Sequence, residues 1–119
     1  MKKLVLAGLV GLTGLMSFTI NAAECNNHGC TGKPSELFSN YYQTGSSDGK
    51  VYLQLKSEFK SSLGCTLAEG HYITLLSSHP LFKEIYSTLL SASAMDRKVY
   101  IRTVDGSSIC QVIYTRIYM

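Results

Sequence analysis

Four cysteines constrain this chain more than any other feature of its sequence. Cys25, Cys30, Cys65 and Cys110 all follow an apolar N-terminal stretch. An even cysteine count in a small exported domain reads as a disulfide framework. Four cysteines allow three pairings, and sequence alone does not choose among them. Proximity favours Cys25–Cys30 as a small ring, which leaves Cys65–Cys110. Loop-closure entropy then assigns about 4 kcal/mol to the long bridge and about 2 kcal/mol to the ring. The rival reading is a metal site, because His28 lies between Cys25 and Cys30, with His71 and His79 elsewhere. Zinc sites pair one close cysteine couple with a matching second one. No such second couple occurs, so neither a metal nor another cofactor is expected.

The apolar stretch explains the compartment. Met1-Lys2-Lys3 is a short positive start, Leu4 to Ile20 is an apolar run, and Asn21-Ala22-Ala23 supplies small residues for cleavage. Residues 1–23 therefore read as a signal peptide. A lipid anchor on Cys25 fits poorly, because Ala23-Glu24 before it is not the small pair such a site needs. The run, at about 17 residues with glycines throughout, is short for a hydrocarbon core of roughly 30 Å. The expected product is periplasmic or secreted, with no membrane insertion once the signal is removed. It retains about 97 residues, nine Lys or Arg and eight Asp or Glu, a net charge of +1. That is one small domain with no electrostatic footprint for nucleic acid.

From residue 24 to 38 the chain reads as an irregular arm closed by the small ring, anchored by Leu37 and Phe38. The domain proper spans 39–119. Ser39 to Thr44 is a candidate strand, and Asp48-Gly49 a hairpin turn. In Lys50 to Lys56, Val51, Leu53 and Leu55 alternate with Tyr52, Gln54 and Lys56, the signature of a half-buried strand. Cys65–Leu67 and His71–Leu76 are extended. Leu81, Ile85, Leu89 and Ala92 recur at helical spacing, predicting one helix over about 80–95, with Pro80 in its first turn and His79 at its cap.

Lys98–Val104 and Ile109–Tyr118 form a final hairpin. Pairing Val104 with Ile109 places Val99, Ile101, Cys110, Val112 and Tyr114 on the core face. Tyr100, Arg102, Gln111, Ile113, Thr115 and Ile117 then lie on the other. That second face is apolar enough to suggest contact with another subunit. The fold class is α+β: a small antiparallel β-barrel or curled sheet, OB-like, with one helix before the last hairpin. A plain helix-on-sheet sandwich is the alternative.

No P-loop, G-x-G-x-x-G or H-E-x-x-H is present, no serine nucleophile elbow is read, and the carboxylates lie scattered in turns and helix ends. The chain is not expected to be an enzyme. Binding is the better expectation. Eight tyrosines without tryptophan supply rings that stack and donate a hydroxyl. Arginine beside them suits a carboxylate, because guanidinium meets it in a two-pronged geometry. The candidate binding residues are Tyr52, Tyr100, Arg102, Tyr114 and Arg116.

The extended stretch His71–Leu76, the helix pattern Phe82-x-x-x-Tyr86-Ser87-x-Leu89-Leu90-x-Ala92 and the strand Lys98-Val99-Tyr100-Ile101-Arg102 carry a resemblance. The stretch from Cys65 to Cys110, about 40% of the chain, resembles B subunits of AB5 toxins of the subtilase-cytotoxin and typhoid-toxin type. It is similar also to small exported proteins of Gram-negative bacteria. The resemblance implies a homopentameric ring that binds cell-surface glycans and carries a catalytic A subunit. It transfers no binding residue to this chain. The alternative is a periplasmic accessory or inhibitor module that binds a protein.

Overall fold

A computed structural model describes residues 22–45 and 49–119. The signal-peptide expectation falls almost wholly on residues 1–21, outside the described residues.

Two strands open the fold, β1 (Glu24–Asn26) and β2 (Gly29–Gly32). They form a hairpin in which Cys25 pairs with Cys30 and is bonded to it. The stretch 24–38 is thus ordered, where the sequence suggested an irregular arm. The cause is a glycine. A side chain at Gly29 would meet the Ile101 carbonyl oxygen at 2.0 Å, so only glycine lets β2 lie against its neighbour. A helical turn, α1 (Pro34–Leu37), follows, with Pro34 in its first turn and Lys33 N–H donating to Glu36 Oε1 at 3.2 Å. Leu37 and the adjoining Phe38 are buried, as expected.

β3 (Phe38–Gln43), β4 (Lys50–Leu55) and β5 (Tyr72–Leu76) make an antiparallel three-stranded sheet. β4 keeps the predicted alternation: Val51, Leu53 and Leu55 are buried, while Tyr52 and Gln54 are half-exposed. Between β4 and β5, Phe59 and Leu63 pin the loop to the core.

The main helix, α2 (Phe82–Met95), buries Ile85, Leu89 and Ala92. Leu81 stands outside the stripe and is exposed, because the helix starts two residues after Pro80. At its other end Asp96 takes the left-handed conformation (φ 56°) and Arg97 N–H donates to Ala92 O at 2.9 Å, closing the last turn.

β6 (Val99–Thr103) and β7 (Val112–Ile117) complete the chain. The second sheet runs β1-β2-β6-β7, all antiparallel. The architecture is α+β: two antiparallel sheets and one main helix before the last hairpin. The sheets are separate ladders that do not close into one barrel. They approach at Thr74 and Gln111, a single parallel bridge, where Thr74 N–H donates to Cys110 O at 3.2 Å. The Cys65–Cys110 disulfide spans 45 residues beside that junction. Both pairings are those that proximity favoured.

Candidate binding face

The register of the last hairpin decides which side chains share a surface. Thr103 pairs with Val112, yet Arg102 pairs with Tyr114, so Ile113 is an extra residue in β7. Such a bulge reverses the alternation beyond it. Val112 points to the core, Ile113 and Tyr114 both face out, and Thr115 lies opposite buried Ile101. Tyr114 is therefore outward, where the sequence reading placed it in the core. Thr115 and Ile117 are inward, and Ile117 packs against the core rather than forming an apolar outer face. The Val104–Ile109 pairing is also replaced: Val104 N–H donates to Gln111 O, and a longer turn follows.

The bulge gathers Tyr100, Arg102, Tyr114 and Arg116 on one face. The Tyr100 and Tyr114 rings lie 6.0 Å apart, tilted at 54°. The Arg116 guanidinium sits 5.7 Å from the Tyr100 ring and 5.9 Å from Tyr118. The Lys98 ammonium is 4.9 Å from the Tyr118 ring. These cation–π distances hold the cations over rings and leave their donors toward solvent. Arg102 also lies 3.8 Å from Asp105, whose other oxygen meets His28 Nδ1 at 3.2 Å. Lys98, Arg102 and Arg116 outnumber that one carboxylate, so the face is cationic.

Tyr52 does not join this group. It lies on β4 in the other sheet, stacked on Tyr72 with ring centroids 4.7 Å apart. Tyr42 meets Tyr72 edge-on and donates its hydroxyl to Gln54 Oε1 at 3.1 Å. Sequence reasoning missed Lys98 as a member of the cationic face and Tyr42 and Tyr72 as companions of Tyr52. Alternation gives the face of a strand, not which strands are neighbours.

Two shallow clefts open elsewhere. One, of about 250 Å³, is lined by Pro34, Phe38, Tyr41 and Ser93; the other, of about 340 Å³, by Gln43, Lys50, Phe82 and Tyr86. Tyr41 reaches Ser93 Oγ at 3.1 Å, and burial pushes its hydroxyl pKa above the ordinary value of 10.0. Among the described residues no cluster of three metal-ligating side chains occurs. Gly45-Ser46-Ser47-Asp48-Gly49 does spell the letters of a nucleophile elbow, contrary to the sequence reading. It falls between two antiparallel strands, β3 and β4, whereas an elbow joins a strand to a helix. Residues 46–48 lie outside the described residues.

No protein-family description, curated protein or solved structure matches this chain. Two disulfides fit the oxidising compartment of an exported protein, and no helix among the described residues is long and apolar enough to cross a membrane.

Proposed function

We propose that this chain is an exported, non-catalytic binding protein whose β6–β7 face recognises a carboxylate-bearing glycan. One observation carries the reading: the bulge in β7 sets two arginines and two tyrosines side by side on a single surface. Arginine grips a carboxylate, and tyrosine stacks on the apolar face of a sugar while its hydroxyl bonds a ring substituent. The finer fold is an OB-like curled sheet. Its support is the strand order (a three-stranded meander, a helix, then a hairpin) and the parallel bridge from Thr74 to Gln111. That order fits the B-subunit resemblance, and with it a homo-oligomer, pentameric in that family, serving a catalytic A subunit.

The second reading is a periplasmic accessory or inhibitor module. Ile113 and Tyr114 favour it, since both are exposed at 38% and 42% beside the arginines, and aromatic residues with arginine mark protein interfaces.

The test is a glycan array probed with the mature oxidised protein and with Arg116→Ala. Binding confined to acidic glycans and lost in the variant supports the glycan reading. Absence of binding to every acidic glycan contradicts it and leaves the protein-binding module. Equal binding by both proteins contradicts the assignment of the face.

A further inference from the structure

A bulged residue leaves the regular ladder, and its carbonyl is open to a donor from elsewhere in the chain. Here the donor is distant in sequence. His79, just ahead of α2, meets Ile113 O through Nε2 at 2.6 Å, while Leu81 N–H approaches His79 Nδ1 at 2.9 Å. The two partners fix the tautomer. A carbonyl can only accept, so Nε2 carries the hydrogen; a backbone N–H can only donate, so Nδ1 carries the lone pair. One imidazole thus ties the residue that opens the main helix to the bulge of the last strand.

Everything outward on β7 depends on that bulge. Continued from the Thr103–Val112 pair without it, the ladder would set Tyr114 opposite Ile101 and Arg116 opposite Val99. Ile101 and Val99 are both fully buried. The two residues would leave the surface and enter the core.

We infer that His79 is the positioning residue for the Tyr–Arg face: it touches no ligand but holds the bulge that turns Tyr114 and Arg116 outward. The inference rests on the proposed reading only in taking that face as the binding surface; its geometry can be tested without any ligand. His79 is not the cap that the sequence suggested, since Leu81 holds that position; it bonds the Leu81 N–H with Nδ1 and the strand with Nε2.

The experiment compares wild type, His79→Phe and His79→Gln by NMR of isotope-labelled protein with both disulfides formed. Phe keeps the bulk of the ring and removes both hydrogen bonds, whereas Gln retains a donor and an acceptor on one planar group. The expected result is a ring-to-ring nuclear Overhauser contact between Tyr100 and Tyr114 in wild type. It is lost in His79→Phe and restored in His79→Gln, with the backbone signals of β3, β4 and β5 unmoved in both. Retention of the contact in His79→Phe overturns the inference. Should His79→Phe not fold, the wild-type imidazole nitrogens decide: a protonated Nε2 beside an unprotonated Nδ1 supports the clamp, and the opposite tautomer overturns it. Titrating wild type with N-acetylneuraminic acid separates the two readings. A lost ring contact in His79→Phe together with no sugar binding by wild type upholds the positioning role and refutes the glycan proposal.

Discussion

Replacing Cys65 and Cys110 together by alanine removes the bridge that spans 45 residues. In the unfolded chain a loop of that length loses an entropy worth about 4 kcal/mol at 25 °C, against about 2 kcal/mol for a loop of five or six. The second figure describes Cys25–Cys30, whose separation is 5. The fold adds to the contrast. Each bridge joins one buried and one partly buried cysteine, but the Cys110 carbonyl takes the Thr74 N–H at the junction of the two sheets, whereas Cys25–Cys30 closes a hairpin at the edge of one sheet. For a domain of this size each kcal/mol moves the melting temperature by about 4–8 °C. The Cys65→Ala/Cys110→Ala pair should therefore melt about 15–30 °C below wild type, and Cys25→Ala/Cys30→Ala about 8–15 °C below. Far-UV circular dichroism melts of the three oxidised proteins, without reductant, give both shifts. Equal shifts, or a larger one for the short ring, would refute the reasoning that the long bridge dominates.

Gly29→Ala would set a methyl group 2.0 Å from the Ile101 carbonyl oxygen and force β2 from β6; we expect a loss of about 3 kcal/mol in urea unfolding. Gly45→Ala, with no atom within 4 Å of its new carbon, should be near neutral by the same measurement. Deleting Ile113 would let Tyr114 follow Val112 directly and keep the Arg102–Tyr114 and Tyr100–Arg116 pairs, so the variant should give a dispersed NMR spectrum with Tyr114 still beside Tyr100; loss of that contact would refute the register argument. Tyr41 is held neutral by burial in the folded state and ionises near 10.0 when unfolded. Its contribution is constant below that pH and falls as pH rises through the raised folded value, because the unfolded chain then releases its proton first. Tyr41→Phe should weaken this alkaline loss relative to wild type in paired denaturation curves from pH 9 to 11; identical pH dependence would contradict it.

Much of the scaffold was legible because its signals are local. The alternation of Val51, Leu53 and Leu55 marks β4, and the spacing of Ile85, Leu89 and Ala92 marks the buried stripe of α2. Distance along the chain favoured the disulfide pairing that the structure has, without deciding it. What stayed hidden depends on contacts between distant segments. The strands at Glu24–Asn26 and Gly29–Gly32 carry no apolar alternation; they exist because β6 and a cross-strand cystine hold them. The bulge at Ile113 is hidden for a related reason. One extra residue leaves composition unchanged, yet it turns Tyr114 from the core to the surface and Ile117 from the surface to the core. Four of the five candidate residues lie together on the outer side of β6–β7, Tyr52 lies on the other sheet, and the sequence register had put Tyr114 on the inner side.

The central functional proposal is that the β6–β7 face binds a carboxylate-bearing sugar. Its most direct test follows amide signals of the mature, oxidised protein while N-acetylneuraminic acid is added. The account predicts saturable shifts at Tyr100, Arg102, Tyr114 and Arg116, with Tyr42, Tyr52 and Tyr72 unmoved, and their loss in Arg102→Ala/Arg116→Ala. Shifts confined to Tyr42, Tyr52 and Tyr72, or no saturable shift at all, would contradict it.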